Sequence, residues 1–159
     1  MTRRSSQRDQ AAARIFGTAF ILERRLTRLA DRELADDDIT TKQWLVLATV
    51  AKLFAEPPRI SDVATALNTA HQNVKAIAVK LVDKALLRMD PDVGDRRATR
   101  LVLTDANERF WAARDERDLV FLRRLVEVFD DTDLAALDDL LGRLAEAAAG
   151  LELEIGGNP

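Results

Sequence analysis

The 159-residue chain contains no cysteine and a single histidine, His71. Without thiols there is no disulfide framework, no thiol nucleophile, and no cysteine-ligated zinc or iron–sulfur site. One imidazole excludes a metal site built on several histidines and any catalytic scheme that needs two. A phosphate-cradling glycine loop and a serine elbow are also missing. No run is long and apolar enough to cross a bilayer, and Arg14, Arg24, Arg25 and Arg28 interrupt the candidates behind the N-terminus. Met1 to Gln10 is polar and Arg-rich with no apolar segment behind it, so no signal peptide is read and a cytoplasmic protein is expected.

What remains is a chain of one-domain length, 47% hydrophobic, with a formal charge of -3. That apolar share and small net charge exclude strong disorder. The charge is unevenly spread. Residues 1–57 net +2, residues 58–104 net +3 and residues 105–159 net -8. An acidic protein can still meet a polyanion through one positive face. By itself, however, a +3 segment is ordinary solvated surface.

Hydrophobic periodicity places the elements. Ile15, Ala19, Leu22, Leu26 and Leu29 mark a long helix from Asp9 to Leu34, widened by Phe16 and Phe20. Asp9 is its expected cap. Thr40 or Thr41 caps a second, central helix with Trp44, Leu45, Leu47, Ala48, Ala51 and Phe54, ended by Glu56–Pro57–Pro58. Two short helices follow. The first is capped by Ser61, with Val63, Ala64 and Leu67 inward. The second runs from Ala70 to about Lys84, capped by Thr69, with Val74, Ile77, Ala78 and Leu81 inward. Two alternating segments, 86–90 and 100–104, flank a turn-forming cluster, Pro91–Asp92–Val93–Gly94–Asp95, and read as a hairpin. A long helix from Thr104 or Asp105 to Phe129 and a last helix lined by Leu134, Leu137, Leu141 and Leu144 complete the chain. Gly150 is the expected stop, and residues 151–159 the expected flexible tail. The predicted fold is mostly α with a small β-hairpin: a helix-turn-helix and wing over residues 40–104, between long helical segments at 10–35 and 105–150 whose apolar stripes call for a partner.

The Ala70–Lys84 helix is the candidate reading element, since a major groove admits one helix whose exposed side chains meet base edges. Gln72 and Asn73 lie in its first turn, where amides can pair with adenine. Lys75 and Lys80 can reach guanine or phosphate, and Ala76 or Val79 a thymine methyl. At the hairpin tip, Arg96 and Arg97 can enter a minor groove or clamp phosphate, with Asp95 holding the loop in shape. Arg59, Ser61, Thr69 and Arg100 are further phosphate candidates. The competing reading is an ordinary amphipathic surface helix beside a solvated turn. His71 satisfies a helix start or touches phosphate; no ligand cluster surrounds it, so no metal is expected. Asp130, Asp131 and Asp133 read as solvated interhelix residues, Asp138 and Asp139 as a polar face. The aromatics sit at core spacings, although Phe20, Trp44 and Trp111 offer a candidate pocket for a small aromatic ligand.

The order of elements, with Ile60–Ser61–Asp62–Val63–Ala64–Thr65–Ala66–Leu67, Leu81–Val82–Asp83–Lys84, Leu86–Leu87, Asp95–Arg96–Arg97 and Leu101–Val102–Leu103–Thr104, resembles the MarR family of winged helix-turn-helix transcription regulators. Asp95 and Arg97 match that family's aspartate–x–arginine wing element. The resemblance implies a homodimer interlocked through its terminal helices, bound to a pseudo-palindromic duplex. It also implies repression by promoter occlusion, relieved in many relatives by phenolic or other small aromatic ligands, with no cofactor and no enzymatic activity. The lack of cysteine excludes the thiol sensing used by some relatives. Asn68 stands where the family often has glycine. Ala70–His71–Gln72–Asn73 and Lys75 also depart from the family pattern, so the operator is not transferable. Two alternatives stay open: a winged-helix protein-interaction module without its own operator, and a small-molecule-binding helical enzyme.

Overall fold

A computed structural model describes residues 6–95 and 97–156. Its helices are α1 (Gln7–Glu33), α2 (Thr41–Leu53), α3 (Ile60–Ala66), α4 (His71–Asp83), α5 (Asp105–Val126) and α6 (Asp131–Gly156), with strands β1 (Leu87–Pro91) and β2 (Thr99–Leu103) between α4 and α5. The mostly helical class with one small hairpin is as expected. The chain divides into two compact units, Met1–Arg109 and Phe110–Pro159. The first terminal helix therefore belongs to the same unit as the helix-turn-helix and hairpin.

Within the first unit, α2 packs against α1, α3, α4 and β2, which is the central place its apolar composition predicts. The core comprises Val46, Leu47 and Val50 from α2, Ile60, Val63 and Ala64 from α3, Val74, Ala78 and Leu81 from α4, and Leu87 and Leu101 from the hairpin. Strands β1 and β2 pair antiparallel with Leu87 opposite Leu103 and Pro91 opposite Thr99. The alternation that predicts the strands thus buries Leu87 and Leu101 and turns Arg88 outward.

Several caps differ from expectation. Ser6 caps α1, and Asp9 is its capping-box partner, accepting from the Ser6 N–H while the Ser6 hydroxyl accepts from the Asp9 N–H. Arg59 occupies the cap position of α3, its N–H donating to the Asp62 carboxylate at 2.8 Å, and Ser61 lies inside the helix. Ala70, not Thr69, precedes α4 and supplies no side-chain cap. The α6 helix does not stop at Gly150 but continues to Gly156, so the expected tail is helical over most of its length. One helical glycine costs about 1 kcal/mol relative to alanine, which the strong helix formers Leu151 to Glu154 outweigh.

Three non-glycine residues, Asp38, Asn68 and Ala85, carry positive φ of 53°, 46° and 57°. Asn68 and Ala85 end α3 and α4 in the same way. The Thr69 N–H reaches the Ala64 carbonyl and the Asn68 N–H the Thr65 carbonyl; the Leu86 N–H reaches Leu81 and the Ala85 N–H Val82. Each is a Schellman ending, which recovers two carbonyls left over by the helix. Asparagine tolerates left-handed geometry, so Asn68 makes the helix-turn-helix turn without glycine. Alanine has no such compensation, because its Cβ crowds the following carbonyl. Ala85→Gly is expected to stabilise the protein by about 1 kcal/mol, part of the relief being offset by glycine's greater unfolded freedom. A lower urea midpoint for this variant would contradict that account.

Candidate nucleic-acid interface

Helix α4 presents the exposed face its sequence predicts. Val74, Ala78 and Leu81 are fully buried and Ile77 half-buried, while Gln72, Asn73, Lys75, Ala76, Val79 and Lys80 are exposed. A buried stripe on one side fixes the helix roll, and the opposite face is then left to solvent. The helix ends are tied. The Asn73 amide donates to the Thr69 hydroxyl at 3.2 Å across the first turn, leaving Thr69 half-buried in the turn. At the far end the Lys84 ammonium pairs with the Asp38 carboxylate after α1. Ser61 is exposed on α3, where its hydroxyl donates to Asp62. His71 is exposed at the first position of α4, and the described residues hold no cluster of three or more metal-ligating side chains.

The hairpin tip is organised by a residue the sequence reading passed over as part of a turn cluster. The Asp92 carboxylate is buried, and both its oxygens are occupied. Arg59 makes a two-point contact, Nε to Oδ2 at 3.2 Å and Nη2 to Oδ1 at 3.1 Å. The Arg100 Nε donates to Oδ2, and its Nη1 to the Pro57 carbonyl. The Gly94 and Asp95 N–H groups each donate to Oδ1 at 2.9 Å. The main chain joins the same links: the Leu101 N–H donates to the Pro58 carbonyl at 2.8 Å, and Arg59 bridges Arg100 in antiparallel fashion. The segment entering α3 therefore lies alongside β2, and helix-turn-helix and hairpin share one set of polar contacts. A carboxylate out of water is tolerated because each oxygen finds cationic or amide donors.

Arg59 and Arg100, expected at phosphate, thus spend part of their donors inside the subunit, and each keeps about two fifths of its side chain exposed. Arg97 is exposed at the tip, and its N–H donates to the Asp95 carboxylate at 2.9 Å. The Asp95 carboxylate therefore meets the Arg97 main chain and not the guanidinium pairing the sequence suggests. Arg96 lies outside the described residues. The spacing of Asp92 from Arg59 and Arg100 in sequence gives no period to detect; only the turn signal around Gly94 pointed to this loop.

The three aromatic residues proposed for a ligand pocket occupy different settings. Phe20 is largely exposed and stacks edge-on with Phe16 at 4.9 Å between ring centroids. It lines an open hollow along α1 with Glu23, Arg24, Thr27, Arg28 and Asp31. Trp44 is half-buried on α2, and Trp111 meets Phe110 edge-on at 5.2 Å.

No protein-family model matches the chain. The uncharacterized protein Rv2011c of Mycobacterium tuberculosis is 31% identical over 137 residues, 85% of this chain and 92% of that protein. The chain belongs to one family with it. AbsC, a MarR family transcriptional regulator from Streptomyces coelicolor, superposes with a TM-score of 0.78 at 24% identity, over 94% of this chain and 99% of AbsC. The chain thus has the winged-helix fold of the MarR-family regulators. MepR of S. aureus, solved as a complex with DNA, gives a TM-score of 0.75 at 19% identity over 84% of this chain and 97% of MepR. PcaV of Streptomyces coelicolor, solved with its natural ligand, gives 0.66 at 24% identity over 80% of this chain and 91% of PcaV. Among the described residues, no helix is long and apolar enough to cross a membrane.

The Arg59 hydrogen bonds, followed by the Gly94 and Asp95 amides and Arg100, hold the Asp92 carboxyl well below the usual carboxylate range against the opposing effect of burial. A depressed folded pKa adds stability that is complete above the unfolded value of about 3.9 and fades as pH falls below it. The urea midpoint is expected to hold from pH 7 to 5 and drop below about pH 4. Asp92→Asn should make that drop shallower. An equally steep drop in the variant would assign it to other carboxylates, such as Asp9 and Asp31, whose pKa values are also lowered.

Proposed function

We propose that the chain is a sequence-specific double-stranded DNA-binding transcription regulator, acting by binding and not by catalysis. The observation that carries this reading is the open face of α4, with Gln72, Lys75, Ala76, Val79 and Lys80 exposed in the same compact unit as a hairpin whose tip exposes Arg97. Amides, small apolar groups and lysines are the side chains that meet base edges and phosphates, and they lie in the net-positive segment of an acidic chain. MepR, of the same fold, is known in complex with DNA. The hairpin acts as the wing, with Arg97 reaching backbone or minor groove. Such a role places the protein in the cytoplasm.

The working form in this reading is a homodimer on a pseudo-palindromic duplex. No residue of α1 is buried, and Ile15, Phe16, Phe20, Ile21 and Leu22 lie in solvent. Over described residues 110–156 no hydrophobic side chain is buried, and Leu119, Leu122, Leu140, Leu141 and Leu144 are exposed. Apolar stripes this long call for a cover, and a second copy supplies matching stripes under two-fold symmetry. Repression by promoter occlusion, released by a small aromatic or phenolic effector, is the finer part of the reading. PcaV carries a natural ligand on this fold, and Phe20, Trp44 and Trp111 are the residues to vary in an effector screen.

Selection from a random duplex pool should enrich a two-fold motif, whereas recovery of no motif would favour a protein-interaction module. On the enriched duplex, Arg97→Ala should weaken binding about tenfold with the fold intact, as measured by fluorescence anisotropy. Gln72→Ala should lower the ratio of enriched to random binding by about tenfold, since one base contact is worth ~1–3 kcal/mol. A Gln72→Ala ratio equal to wild type removes that residue from base reading. Light scattering should give twice the 17.7 kDa chain mass, and Leu141→Glu should shift the protein toward monomer. A wild-type monomer at micromolar concentration would exclude the dimer.

A further inference from the structure

We infer that Asp92 is a specificity-setting residue: by occupying Arg59 and Arg100 from inside the subunit, it withholds two cations from indiscriminate phosphate contact and leaves base contacts from α4 to decide the site. This rests on the DNA-binding reading above.

The geometry is unequal in a telling way. Four arginines, Arg59, Arg96, Arg97 and Arg100, fall between the cap of α3 and the end of β2, together with Arg88. Arg88 folds back on Asp90 with its Nε and Nη2. Arg59 and Arg100 turn toward the single buried carboxylate of Asp92, and Arg100 spends a further N–H on the Pro57 carbonyl. Arg97, by contrast, is held at the tip through its main chain, with its side chain exposed. Phosphate contacts carry no sequence information, and each one added raises affinity for every duplex alike. A guanidinium already paired with a carboxylate must break charge-assisted hydrogen bonds to reach phosphate. The network therefore lowers affinity for random sequence while the exposed face of α4 keeps its contacts. The same carboxylate fixes the Gly94 and Asp95 amides, so the element that restrains the arginines also shapes the tip presenting Arg97.

The test uses the full chain, a mixed-sequence 30-base-pair duplex and the duplex enriched by selection. Each is titrated over a range of salt with wild type and with Asp92→Asn, which keeps an oxygen for the loop amides but removes the charge. In Asp92→Asn, random-duplex binding at low salt is expected to rise at least threefold. Its salt dependence should steepen by about one to two released counterions per protomer. The ratio of enriched to random affinity should fall. A variant that merely loses structure binds random duplex less well, so a folded variant with unchanged or weaker random-duplex binding overturns the inference. Should the variant fail to fold, the wild type decides. Its arginine Nε–H resonances are followed by NMR at pH 6 during titration with the random duplex. Arg59 and Arg100 are expected to stay in place while Arg97 shifts, and movement of the first two overturns the inference. Wild type that binds neither duplex at low salt rejects the DNA-binding reading itself, an outcome distinct from bound duplex with an unaltered Asp92→Asn profile.

Discussion

One buried carboxylate holds the helix-turn-helix and the hairpin to a common frame. A two-stranded ribbon of five residues a side has little stability of its own. Here β2 gains a neighbour in the Pro58–Arg59 segment, and Asp92 ties the loop to Arg59 at the start of α3 and to Arg100 within β2. Because every contact is charge-assisted or made by a backbone amide, the loop is held by direction as well as by attraction. That frame sets where Arg97 projects relative to α4, both elements lying in the same unit.

Helix α4 depends on that frame in a second way. Its roll is fixed by Val74, Ala78 and Leu81, which insert into a core shared with α2 and the hairpin. Its start follows from the Schellman ending at Asn68, and its end from the similar turn at Ala85. Thr104 completes the connection to α5: its hydroxyl donates to the Ala85 carbonyl at 2.7 Å and accepts from the Asn107 N–H. A helix whose roll and both ends are pinned can present five or six side chains at fixed positions, which base recognition requires.

The contrast between the short elements and the long helices has a simple origin. Residues 41–103 bury a core from several short elements, so their apolar side chains are satisfied within one chain. The long helices carry apolar stripes of comparable strength, yet Phe16, Leu122 and Leu141 remain in water. A stripe of that length cannot be folded back on itself by a helix, and its cover has to come from another surface.

The sequence by itself determined the elements, their order and the open face of α4, because hydrophobic period and turn chemistry are local and Val74, Ala78 and Leu81 recur at helical spacing. The caps were less legible. Ser6, Arg59 and Ala70 take cap positions that Asp9, Ser61 and Thr69 suggested, since neighbouring polar residues compete for one site and the winner depends on how the chain enters the helix. Only the tertiary structure decided which arginines are free. Asp92 and Arg59 are separated by 33 residues and meet because β2 lies against the entry to α3. No local pattern marks a contact made by such a long-range approach.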